Sequence, residues 1–232
     1  ELLGDYDAGL YGHSTFHCLR LNKSGADEVV RLGADQTVAT LDLAAGTLDT
    51  DTNTLTLTGT RTGNGVVLGT LARSHAFSTG TTYAFSSPQH TVTFVTASDV
   101  TNITITTSAD PVADFPFGAC INRQFTIAVS GGAYDATLRL PYEEAGLNGN
   151  DETSMQLWQR AAVWTAAGKS ANDAAANWVE QTSLTNLAGR WTLSDNASVV
   201  RWNGSVSAAW ETADNWTVVQ GSPERPPFVN DI

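Results

Sequence analysis

Between Thr50 and Thr62 every second residue is threonine, seven in succession. The intervening positions are Asp51, Asn53, Leu55, Leu57, Gly59 and Arg61. A period of two puts alternate side chains on opposite faces of an extended chain, whereas a helix would scatter them round its circumference. β-Branched residues also suit a pleated surface better than a helical turn. The run is therefore predicted as one half-buried strand, with a threonine ladder outward and Leu55 and Leu57 inward.

The flanking sequence repeats the theme in shorter pieces. Strands are predicted at Ser14–Lys23, Glu28–Leu32, Thr37–Leu43, Thr47–Leu57 and Val66–Leu71. Gly25, Gly33, Gly46, Gly59 and Gly65 fall between them or at their ends, where turns ask for a positive φ. This recurrence predicts β-solenoid-like rungs over residues 1–71, each hiding its apolar face against the next; a flat meander is the alternative.

Residues 72–196 read as an antiparallel β-sandwich. Tyr83–Phe85, Thr91–Val95 and Asn102–Thr106 are predicted strands. Arg123–Ser130 and Tyr134–Leu140 both alternate and flank Gly131-Gly132, a hairpin signal. The alanine-rich stretch Ala166–Ala176 invites a helix, but Gly168 and its Ser, Asn and Asp residues predict a loop or one short turn. Residues 197–232 form a Trp/Pro-rich terminal connector with Trp202, Trp210 and Trp216, then Pro223, Pro226 and Pro227, ending at Ile232. The fold class expected is all-β: short solenoid-like rungs followed by a sandwich.

Charge narrows the partners. There are 24 acidic against 12 basic residues, a formal net charge of −12, and no basic cluster. Nucleic acid and anionic membranes are thus not expected partners, since both need Lys or Arg to neutralise phosphate. No apolar run is long enough for a membrane-spanning helix, so no membrane insertion is expected. The start, Glu1-Leu2-Leu3-Gly4-Asp5, lacks the basic residues and apolar run of a signal peptide; if secreted, this is a mature chain or an excised piece. Lys23 and Lys169 are the only lysines. Lysine is a usual blocker of exposed strand edges, and a chain built to join edge to edge would do without it.

Cys18 and Cys120 are the only cysteines. A disulfide between them would close a loop of about 100 residues, worth roughly 4–5 kcal/mol in the chain-entropy model. The alternative is two unlinked, buried thiols packed as small hydrophobes.

Few residues suggest chemistry, and no catalytic residue is assigned. His13 and His17, four apart and followed by Cys18, would put two ligands on one helical face, but Gly9, Gly12 and the strand pattern after Ser14 make them polar residues on a solenoid cap. Asp49-Thr-Asp51-Thr-Asn53 opens like a calcium loop, yet Thr54 and Thr60 stand where that loop needs Gly and Glu; it reads as an exposed strand face. A weak calcium candidate is the set Glu143, Glu144, Asn148, Asn150, Asp151 and Glu152, which gathers hard oxygen donors in a Gly-containing loop. The plainer expectation is a solvated turn, with no cofactor. The seven tryptophans are expected as core and junction anchors, with a sugar-stacking platform as the alternative.

The phrases Ser14-Thr-Phe-His-Cys-Leu-Arg-Leu-Asn-Lys-Ser-Gly, Val29-Val-Arg-Leu and Val38-Ala-Thr-Leu-Asp-Leu-Ala-Ala-Gly-Thr-Leu resemble rungs of repetitive bacterial cell-surface proteins, adhesin-like β-solenoids that carry β-sandwich modules. The tail, with Trp202-Asn-Gly, Trp210 and Asn215-Trp216, is similar to the opening of a further repeat. The resemblance implies secretion, residence outside the cell or at its surface, and a structural or adhesive role. The expected partners are copies of the chain itself, joined head to tail through the connector residues Trp202, Trp210, Trp216 and Ile232. The alternative is a carbohydrate-binding or adhesive module that takes a surface polysaccharide.

Overall fold

In the computed structural model, which describes residues 2–4, 8–23, 29–97, 99–116, 118–195, 199–209 and 212–220, the chain first winds in parallel turns. The strands are β1 (Leu2–Gly4), β2 (Ala8–Leu10), β3 (Ser14–Lys23), β4 (Val29–Leu32), β5 (Gln36–Ala45), β6 (Thr47–Thr62) and β7 (Val66–Ser74). Along one side of the stack β1, β3, β5 and β6 pair in parallel, with Ser14 against Gln36 and Gln36 against Leu55. Along another, β2 pairs with β4, and β4 with the start of β6, which in turn pairs with β7. The result is a β-solenoid-like arrangement of about 3 turns. Its strands match the predicted ones within a few residues, although Gly25 and Glu28 lie outside the described residues.

β6 departs from the simple alternation. Leu48 and Thr50 are buried, then Leu55 and Leu57, so the inward side changes from even to odd numbers. The change occurs at Asp51, whose φ of 51° turns the corner of the rung. Asp tolerates this left-handed conformation because its carboxylate bonds locally, and here Asp49 Oδ1 accepts from the Asp51 amide at 2.9 Å. Thr50 therefore does not belong to the outward ladder: it is fully buried and its Oγ1 accepts from the Thr70 amide at 2.6 Å. The predicted glycine turns also sort differently. Gly46 has the expected positive φ, at 89°, but Gly59 sits within β6, where a Cβ would overlap the Ala39 carbonyl of the rung below.

The stack is closed at one end. The outer edge of β7 pairs antiparallel with β10 (Asn102–Ser108), Leu71 opposite Ile105. The same sheet continues through β11 (Gln124–Ser130), β17 (Gly189–Ser194), β13 (Gln156–Arg160) and β14 (Trp164–Gly168), giving twelve strands in all. A second sheet faces it, in the order β15 (Ala171–Asp173), β16 (Trp178–Leu184), β12 (Tyr134–Pro141), β9 (Thr91–Ala97) and β8 (Thr82–Ala84). One apolar core runs from Leu21, Leu41 and Leu57 in the rungs to Phe94, Phe125, Leu138 and Trp191 in the sandwich. A line between 71 and 72 falls inside β7, which serves both halves.

Two predictions are corrected in this region. β11 and β12 are not a hairpin: β11 pairs with β10 and β17, β12 with β9 and β16. The chain crosses from one sheet to the other at Gly131, with φ of 107°, where a Cβ would overlap the Asp99 carbonyl. The segment 166–176 is neither helix nor plain loop, because it supplies the end of β14 and all of β15, joined near Gly168 at φ of 97°.

Beyond the sandwich, β18 (Val199–Trp202) and β19 (Trp216–Gln220) form a two-stranded antiparallel sheet of their own. Trp202 faces Trp216 edge-on, ring centroids 5.1 Å apart. Trp210 and Ile232 lie outside the described residues.

Candidate functional site

The six calcium candidates are dispersed by their own hydrogen bonds. Glu143 pairs with Arg123, a nearly buried guanidinium. Asn148 donates to the Cys120 carbonyl at 2.9 Å; Asn150 donates to Leu147 O at 2.7 Å and accepts from the Asp195 amide at 3.0 Å. Asp151 holds the turn that follows it, accepting from Thr153 N, Thr153 Oγ1 and Ser154 Oγ. These bonds also draw its carboxyl below the usual range, the Thr153 amide contributing most. Only Glu144 and Glu152 approach each other; the Glu152 carboxyl is raised by desolvation, then by its bond to and the charge of Glu144. Among the described residues no three His, Cys, Asp or Glu side chains are placed to hold a metal ion.

The other expectations resolve in the same manner. Asp49, Asp51 and Asn53 build the rung corner rather than a flat exposed face, Asn53 donating to Leu32 O at 2.7 Å. His13 and His17 are exposed at the solenoid surface. Cys18 is exposed on β3, while Cys120 is buried against Phe115, Trp158 and Trp164; both thiols are free, so there is no bridge. Trp158, Trp164 and Trp191 are buried, and Trp178 lies under the Arg139 guanidinium at 3.8 Å from the ring centroid. These rings serve packing, and among the described tryptophans only Trp202 is exposed.

Two features concern the ends of the stack. At its start, β1 pairs with β3 alone and β2 with β4 alone, so each presents one edge without a strand partner among the described residues. At its finish, β10 covers β7. Among the described residues the stack is thus covered at β7 and left without a further strand at β1 and β2.

The most distinctive side chains lie where solenoid meets sandwich. A cavity of about 440 Å3 is lined by Arg61, Arg73, His75, Thr58, Thr60 and Thr82, among others. Arg61 shares the inward parity of Leu55 and Leu57, so the charge enters the end of the core. It donates to the carbonyls of Gly63, at 2.6 Å, and Gly65, while its Nε is buried without a partner. Arg73, 4% exposed, donates to Gly59 O at 2.6 Å, Ala84 O at 2.9 Å and His75 Nε2 at 3.2 Å. The last bond makes His75 Nε2 an acceptor, so its proton sits on Nδ1, directed at Ala76 O.

Neither guanidinium meets a carboxylate among the described residues. Burial lowers both to about 10, and the charge of Arg73 adds to the effect on Arg61. Six other arginines among the described residues are paired: Arg20 with Asp42, Arg31 with Asp49, Arg123 with Glu143, Arg139 with Glu180, and Arg160 and Arg190 with Asp114. The exception stands out in a chain with twice as many acids as bases.

His90 was also not foreseen. It is fully buried, edge-on to Phe125 at 4.7 Å, with Nδ1 2.7 Å from Ser86 Oγ. Desolvation first, then the charges of Arg123 and Arg61, hold it down to about 3, so it is neutral and structural.

The fold defines the class: an all-β protein in which a parallel β-solenoid passes into an antiparallel sandwich through a shared sheet. No protein-family model matches the chain, and neither a curated protein nor a solved structure is significantly similar to it.

Proposed function

We propose that the chain is a structural module of an extracellular or cell-surface protein, extended head to tail into a filament or stalk. The observation that supports this reading is the edge of β1 and of β2 that has no strand partner among the described residues, an edge to which a further strand can add. Directional addition at one end is the condition for a heterologous contact that repeats without closing. The hairpin β18–β19 supplies a separate strand pair to add there, either within a longer polypeptide or between subunits. Scarce lysine and the resemblance of its rungs to those of surface proteins support the same reading, which assigns the chain no catalytic step.

Electron microscopy of the chain against a version ending at Asp195, which removes the whole hairpin, tests it. Filaments that lengthen with concentration are expected for the first and only single particles for the second. Equal assembly of both would remove the hairpin as connector, and single particles from both would remove self-association. The second reading, a carbohydrate-binding or adhesive module, is favoured by the cavity between the solenoid and the sandwich.

A further inference from the structure

A buried cation without a counter-charge is costly, because the lost hydration is not returned by an ion pair. Two such cations side by side cost more, since each repels the other. In this chain the cost is avoidable, as acids outnumber bases two to one and the other arginines named above are paired. Arg61 and Arg73 instead hold backbone carbonyls and, for Arg73, the His75 imidazole and the rings of Tyr83 and Phe85, 5.2 and 5.7 Å from its guanidinium carbon. Carbonyl bonds orient the two groups and the ring faces offset part of the Arg73 charge, but no carboxylate among the described residues neutralises either cation. Each guanidinium has five N–H donors and uses only some of them, Arg61 Nε having no partner at all.

The surroundings add a second kind of chemistry. Thr58, Thr60 and Thr82 also line the cavity; Thr58 Oγ1 donates to Val38 O and Thr82 Oγ1 bonds to Thr93 Oγ1, and since a hydroxyl both donates and accepts, each keeps capacity for a further bond. Its volume of about 440 Å3 lies in the range of small-ligand pockets. A site lined by fixed cations and hydroxyls matches a ligand with one oxyanion and several hydroxyl groups.

We propose that this cavity binds the carboxylate of an acidic sugar unit, Arg61 and Arg73 taking the oxyanion and the threonines the ring hydroxyls. This rests on the carbohydrate-binding reading and sharpens it; it is independent of filament formation. The free base of the site is preorganised, because Gly59, Gly63, Gly65 and Ala84 hold the guanidinium groups through backbone carbonyls. An incoming carboxylate supplies the missing charge.

The test is calorimetric titration of dilute, unassembled protein with galacturonate, galactose and sodium sulfate at matched ionic strength. Saturable binding of galacturonate is expected, with galactose at least tenfold weaker, and Arg61→Met is expected to weaken galacturonate at least tenfold. Thr60→Glu, at an exposed position in the cavity lining, supplies an internal carboxylate and is expected to raise the melting temperature and abolish galacturonate binding. It decides the matter if Arg61→Met does not fold. Equal binding of galactose would overturn the acidic-sugar proposal while leaving carbohydrate binding intact. Sulfate bound without galacturonate would overturn the sugar assignment. No saturable binding of galacturonate or galactose would overturn both, as would binding unchanged in the two variants overturn the site.

Discussion

Thr50 Oγ1 accepts the amide of Thr70 at 2.6 Å across the inside of a rung corner, with no solvent access to Thr50. Side chain and amide lie on successive turns, so the bond ties one turn of the stack to the next. A buried amide left without an acceptor costs about 1–3 kcal/mol. Thr50→Val keeps the shape and deletes the acceptor, so denaturant unfolding should show a loss in that range. Thr52→Val, on the exposed side of the same strand, should change stability by less than about 0.5 kcal/mol.

The crossing at Gly131 makes a second, sharper demand. Its φ of 107° and the overlap of any Cβ with Asp99 O act together. Gly80 also has a positive φ, 75°, but a Cβ there would meet nothing. Gly80→Ala should therefore show only backbone strain, about 1 kcal/mol, and Gly131→Ala clearly more. Melting temperatures of the two variants in one buffer compare them directly.

Much of this architecture is written in the sequence, and the exceptions have physical causes. The strands from Ser14 to Ser74 are legible because one face is apolar, and period-2 burial leaves a local trace. The corner at Asp51 leaves almost none: a left-handed Asp looks like any other residue in an alternating run. Gly131-Gly132 between two alternating segments is the same string for a hairpin as for a crossing between sheets. Only the partners of β11 and β12 distinguish them, and those are β9, β10, β16 and β17, far away in the chain. The arginine pair was half visible. Arg61 sits at the parity of Leu55 and Leu57, a charge on the buried face, but Arg73 joins it only through the stacking of β6 on β7.

Acid should destabilise the fold through His90. Its folded value of about 3 lies below the unfolded 6.5, so the unfolded state binds more protons between them. Stability is fully present above pH 6.5 and is lost as pH falls toward 3, with a limiting slope of about 1.4 kcal/mol per pH unit for one proton. Glu152 acts with the opposite sign: its raised carboxyl favours the fold at low pH, and that share is lost as pH rises above its ordinary 4.5. Urea unfolding of the parent chain and His90→Gln between pH 7 and 5 should give a shallower decline for the variant. Parallel curves would contradict the assignment.

The two thiols should differ in reach. Cys18 is exposed and Cys120 is 3% exposed among aromatic rings. A thiol reagent added to native protein without prior reduction should label Cys18 at once and Cys120 only after unfolding. A chain that gains no label until it is reduced would contradict the unbridged state.

The central claim is directional addition at the open end of the solenoid, and amide hydrogen exchange reads it at the bonds concerned. As concentration is raised through assembly, amides in Leu2–Gly4 and Ala8–Leu10 should become protected, while those of β7, already paired with β10, should not change. Assembly with the β1 and β2 amides exchanging as fast as in the dilute chain would contradict the account.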